Sequence, residues 1–142
     1  MVERVTVEIQ HLCDRVLAVT SPEGFAAALG IALRSVDRTD AVESFAGAFP
    51  IGVFTDADLR VNRSSGLMFL VLKVRNDAGV DLDHVKLTRY GIHPVSVENN
   101  PRIPPEGTMS YLYDVHGVRI AFQFTALSKL LKVVSFEWPP RP

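Results

Sequence analysis

The chain has 142 residues, of which 47% are hydrophobic and 22% charged, and a net charge of −1. That length fits one domain able to bury about 70% of its unfolded surface, and the composition excludes a disordered chain. The near-neutral charge and scattered Lys and Arg argue against nucleic-acid binding through phosphate neutralisation, and the single Cys13 excludes an intramolecular disulfide or a four-cysteine zinc site.

At the N-terminus, Glu3, Arg4 and Glu8 fall where a secretory signal needs an unbroken apolar core, and no later run approaches a membrane span. The expectation is a cytoplasmic protein with no membrane contact. Val5, Ile9, Leu12, Cys13, Val16 and Leu17 follow helical spacing, which predicts a helix over residues 5–19. Ser21, Pro22 and Glu23 then suit a helix start, and Phe25, Ala28, Leu29, Ala32 and Leu33 supply the buried stripe of a second helix over residues 22–33. Thr39 or Asp40 can cap a third, short helix that ends before Pro50.

Residues 51–54 suit a short strand. Asp56, Asp58, Arg60 and Arg63, followed by Ser64-Ser65-Gly66, suggest an exposed loop or a ragged edge strand. Residues 67–74, LMFLVLKV, are apolar on both faces and predict a central strand. Asn76 to Gly79 supply turn residues, and residues 83–90 suit a strand with Val85 and Leu87 inward. Residues 91–109 hold Pro94, Pro101, Pro104 and Pro105, so they read as a long surface loop without a regular element, more often functional than idle.

The last third is the most regular. Tyr111 to Val115 is one strand, His116-Gly117 is a tight turn, and Val118, Ile120, Phe122 and Phe124 alternate with polar or small residues along the next strand. Val134, Phe136 and Trp138 share one side of a third strand. The whole predicts one α+β domain over residues 1–142: two or three N-terminal helices packed on one face of a five- to six-stranded, mainly antiparallel meander sheet. No internal repeat is visible.

Candidate chemistry is sparse. His11, His84, His93 and His116 include the grouping Asp81-x-Asp83-His84, but no helix-spaced ligand pair accompanies it, and a solvated turn explains both aspartates better. GxSxG, GxGxxG and GxxxxGK are absent, and Cys13 lies in the apolar stripe of the first helix, where a buried inert thiol is the default. The reading is therefore of a non-enzyme with no catalytic residue, metal or cofactor. Asp56, Asp58, Asp77, Asp81 and Asp83 are the candidate partner-binding positions on acidic loops. Tyr111 and Tyr113 join them, as exposed tyrosines on a sheet face or else as rings packed under a helix.

A proline-rich loop, an aromatic strand, a Gly-centred turn, an alternating strand and a closing strand run through NPRIPPEGTMSYLYDVHGVRIAFQFTALSKLLKVVSFEW. This succession, over roughly residues 99–138, resembles small bacterial immunity proteins that neutralise polymorphic, contact-dependent or bacteriocin-type toxins. The length and the helices-first order agree. The resemblance implies a cytoplasmic inhibitor that binds one cognate protein toxin tightly and has no catalysis of its own; no residue roles carry over. Two alternatives stand beside it. One is a small ligand-binding or hydrolytic domain with its pocket under residues 91–109, marked by His84 or His93 beside Asp81 or Asp83. The other is a secretion chaperone or homodimeric adaptor, marked by an unpaired edge strand.

Overall fold

Helix α1 (Val2–Leu17) opens the computed structural model, which describes residues 2–140. Its apolar spacing buries Ile9, Leu12, Cys13 and Val16 along one side, while His11, Asp14 and Arg15 stay exposed. The second helix is shorter than predicted. Ser21 is extended and makes no side-chain cap, Pro22–Gly24 forms a 3-10 turn, and α2 covers only Phe25–Leu29. Gly30 ends it at a φ of 71°, with its N–H on the Ala26 carbonyl at 2.9 Å, so Ala32 and Leu33 lie beyond the helix. Arg15 Nε donates to the Ala28 carbonyl at 2.9 Å and ties the two helices together.

Eight strands follow: β1 (Arg34–Arg38), β2 (Val42–Ala48), β3 (Phe54–Asn62), β4 (Met68–Val74), β5 (Ser96–Asn100), β6 (Thr108–Val115), β7 (Val118–Thr125) and β8 (Leu131–Trp138). They form one sheet in the order β1-β2-β3-β4-β8-β7-β6-β5, with every neighbouring pair antiparallel. The α+β class and the antiparallel sheet are as predicted; the five or six strands are not. Two meanders, β1 to β4 and β5 to β8, meet where β4 pairs with β8, with Leu70 opposite Phe136 and Leu72 opposite Val134.

Three predicted elements are replaced. The third helix is the β1–β2 hairpin, and Thr39 caps no helix: its N–H donates to the Val42 carbonyl at 2.8 Å, and its hydroxyl accepts from the Val42 N–H at 3.2 Å. Residues 56–63, read as loop or ragged edge, belong mostly to inner strand β3, where Ala57, Leu59 and Val61 are buried and Asp56, Asp58 and Arg60 point out. Residues 83–90 are not a strand but a short helix α3 (Leu82–Val85) and a 3-10 turn, Leu87–Arg89. Helical segments are thus not confined to the N-terminus. The proline-rich stretch 91–109 holds β5 and the start of β6.

Alternate strand positions join the helical side chains in one buried cluster, which includes Ile9, Val16, Phe25, Leu70, Phe122, Val134 and Phe136. The opposite face carries Asp56, Asp58, Arg60, Lys73 and Glu137, all exposed. Gly47 on β2 is needed for close approach, since a Cβ there would sit 2.5 Å from the Ala32 carbonyl oxygen. At the β6–β7 turn His116 and Gly117 have φ of 50° and 83°, the twist-matched two-residue hairpin that the sequence suggested. No helix among the described residues is long and apolar enough to cross a membrane.

The loops at the far ends of β5 and β7 are fastened by one carboxylate. Glu106 Oε1 accepts from the Leu127 N–H at 2.9 Å, the Ser128 N–H at 2.6 Å and the Ser128 hydroxyl at 2.7 Å. These bonds favour the charged form and hold the carboxyl below its ordinary 4.5, those from Ser128 contributing most. A carboxyl lowered by folding stabilises at pH above its ordinary value and loses that contribution as pH falls through its folded value. Acidification is therefore expected to free the Leu127 and Ser128 amides locally. Hydrogen exchange measured against pH should show a step at those two amides, and Glu106→Gln should remove the step; an unchanged profile in the variant would contradict the clasp.

Candidate protein-binding surface

α3 is positioned by its own cap. Asp81 Oδ1 accepts from the Asp83 N–H at 3.0 Å and the His84 N–H at 3.2 Å, while His84 Nδ1 accepts from the Asp81 N–H at 3.1 Å, a capping box in which histidine takes the usual place of Glu or Gln. The Thr6 hydroxyl donates to the His84 carbonyl at 2.7 Å and fixes this segment to α1. Lys86 ends α3 in the left-handed region at a φ of 59°, which turns the chain into the Leu87–Arg89 turn. The Arg89 guanidinium then pairs with the Asp14 carboxylate of α1, so the segment is fastened at both ends.

Between this segment and β6 lies a groove of about 510 Å³, lined by Leu82, Asp83, Lys86, Leu87, Thr88, Pro94, Tyr111 and Tyr113. The register places Tyr111 opposite Phe122 and Tyr113 opposite Ile120, so both tyrosines lie on the core side of the sheet and Leu112 on the other. Tyr113 is not the exposed residue of the first expectation. It is only 4% exposed, with its ring centre 6.4 Å from that of Tyr90 and from that of Phe122. Tyr111 is half-buried, edge-on to Phe124 with ring centres 5.9 Å apart, and its hydroxyl donates to the Met109 sulfur at 3.4 Å.

The groove opens toward the edge of the sheet. Val97 of β5 pairs in register with Tyr111 and is 49% exposed, and Val95 and Ile92, just before it, are 55% and 87% exposed. Apolar side chains thus line the groove and continue onto the strand beyond it.

The structure divides the predicted contact residues. Asp83, Tyr111 and Tyr113 share the groove, and Asp81 lies beside them, engaged in the α3 cap. Asp77 is exposed in the turn that leads out of β4. Asp56 and Asp58 project from β3 on the sheet face away from the core, where Asp56 stands opposite Lys73. No single acidic surface forms. Sequence reasoning missed Leu82, Leu87, Pro94 and the exposed Ile92, Val95 and Val97; the signal was the run IHPVSV, apolar residues persisting inside a proline-rich loop.

The groove lining holds Asp83 and Lys86 but no histidine. His84 lies in the α3 cap, His93 is exposed ahead of Pro94, and His116 sits at positive φ in the β6–β7 turn. Among the described residues no group of three or more His, Cys, Asp or Glu converges as metal ligands would. Cys13 is fully buried. Burial pushes its thiol up to about 12, opposed in part by the Tyr90 hydroxyl beside it, so it stays protonated and unreactive at neutral pH. No protein-family model matches the chain, nor does any curated protein or solved structure.

Proposed function

We propose that the chain is a non-enzymatic protein-binding domain, and that its partner is a cognate protein toxin which it neutralises in the cytoplasm as an immunity protein. The observation that carries the binding role is the apolar groove of Leu82, Leu87, Pro94 and Tyr111, continued by the exposed Val97 on the neighbouring strand. Contiguous exposed apolar surface of this kind marks interaction sites, and a half-buried tyrosine at its centre is a frequent anchor. The toxin assignment rests on the resemblance of the last third to immunity proteins.

The test uses the product of the adjacent gene as the candidate toxin. The protein should form a stoichiometric complex with it and protect cells that express it. Tyr111→Ala should weaken that complex by roughly 30-fold, the loss of an anchor worth about 2 kcal/mol. Asp56→Asn and Asp58→Asn, on the opposite face, should leave it unchanged. Absence of both complex and protection would sink the toxin reading. A complex weakened by the aspartate variants and untouched by Tyr111→Ala would sink this choice of surface.

A further inference from the structure

We infer that β5 is a strand-addition site: an extended segment of the partner protein pairs along its free edge, with apolar side chains beside Val97 and a Lys or Arg beside Glu98. The inference deepens the protein-binding reading above and rests on it. It begins from a contrast between the two edges of the sheet. β1 carries Arg34, Asp37 and Arg38 and breaks register between Ser35 and Asp37. Charge and irregularity of that kind discourage another strand from pairing. β5, SVENN, has neither Lys nor Arg nor Pro, and it runs in unbroken register from Ser96 opposite Leu112 to Asn100 opposite Thr108.

Each edge strand exposes one valine, Val36 on β1 and Val97 on β5, but only at β5 do further exposed apolar residues, Ile92 and Val95, lie just ahead of the strand. Backbone groups on an edge strand give affinity to any extended chain, and alternate side chains give selectivity. Pro94 and Pro101 bracket the strand and lack N–H donors, which limits the ladder to about the five residues of β5.

The period of two fixes what the added strand must carry. Val97 and Asn99 lie on the core side with Tyr111 and Met109, whereas Ser96, Glu98 and Asn100 lie on the other. An apolar residue flanking Val97 would reach over Tyr111 toward the groove. On the reverse side Glu98 is exposed and forms no salt bridge among the described residues; the Arg119 guanidinium acts on it only from a distance, so a cation on an added strand would be its first direct partner. A second copy of this chain fits poorly: its own β5 offers no Lys or Arg to meet Glu98, and its β1 is bulged. The favoured occupant is therefore a segment of a different protein with alternating apolar and basic residues.

The probe is an end-blocked peptide, Thr-Val-Lys-Val-Lys-Thr, compared with the same peptide carrying Glu for Lys. The Val/Lys peptide should slow hydrogen exchange of amides within residues 96–100 and bind at least about 10-fold more tightly than the Val/Glu peptide, with two favourable charges in place of two unfavourable ones. Glu98→Lys should reverse the preference, and Val97→Lys should abolish binding of both; both positions are exposed, and unchanged circular dichroism melts will show that the variants fold. No slowed exchange at 96–100 with millimolar peptide would overturn the inference. So would a preference that Glu98→Lys leaves unchanged, or a concentration-dependent dimer of the free protein that Val97→Lys dissolves. The toxin assay separates the two proposals: a toxin complex unaffected by Val97→Lys refutes strand addition alone, whereas peptide addition without any toxin complex refutes the toxin reading alone.

Discussion

Phe122→Ala is expected to lower the unfolding free energy by about 3–5 kcal/mol, the range for removing a fully buried phenylalanine ring. Phe122 has no solvent exposure and lies on β7, in register with Tyr111 on one side and Val134 on the other. Its ring centre is 4.9 Å from that of Tyr90 and 6.4 Å from that of Tyr113, so the deletion leaves a hole walled by aromatic rings. Hydrogen-bonded ladders on both sides of β7 prevent the strand from moving inward to fill it. Since domains of this size are stable by only about 5–15 kcal/mol, the variant should melt far below the parent. Urea unfolding of both proteins measures the difference, and a loss under about 1 kcal/mol would mean that this ring is not in the core.

A larger effect is expected at the seam between the two meanders. Leu70 and Phe136 face each other across β4 and β8, and both are completely buried. Leu70→Asp would place a carboxylate there with no partner, which disfavours the charged form and raises its folded pKa above the unfolded value of about 3.9. The penalty is therefore smallest below about pH 4 and grows as pH rises toward the folded value. At pH 7 the variant should show no cooperative thermal transition. Val71→Lys is the control, because the neighbouring side chain points to the opposite face and stands opposite Asp58. It should fold. A normal melt for Leu70→Asp at pH 7 would show that β4 and β8 do not meet as described.

The strands of the last third were legible in the sequence because each has a single buried face and a clear turn beside it. Val118, Ile120, Phe122 and Phe124 alternate without interruption, and His116-Gly117 announces the reversal, so β6, β7 and β8 follow directly. β3 obeys the same rule through Ala57, Leu59 and Val61, but the acidic residues between them suggested an exposed loop when they only mark the solvent side of an inner strand. β2, VESFAGA, hides its pairing behind small residues, and Thr39 resembles a helix cap because a hydroxyl that accepts a backbone N–H serves a hairpin turn equally well. α3 was missed for the converse reason. Its capping box uses His84 where Glu or Gln is customary, so the segment DHVKLTRY read as an alternating strand. The candidate surface was half legible: Asp83 and the two tyrosines could be named, but their meeting depends on α3 folding over β6, which no local pattern encodes.

The joining of the two meanders through β4 and β8 bears on how the chain folds during synthesis. β8 is the last of the eight described strands to be synthesised, yet it fills the middle of the sheet, between β4 and β7. Translation delivers both outer flanks first and the keystone afterwards, so the hairpins of the N-terminal half wait with Leu70 and Leu72 unpaired on one side until Trp138 clears the exit tunnel. Closure then depends on contacts far apart along the chain, the slow class of folding event. A nascent chain halted a few residues short of Trp138 is consequently a client for chaperones, whereas one with the whole of β8 exposed completes this sheet by inserting one strand.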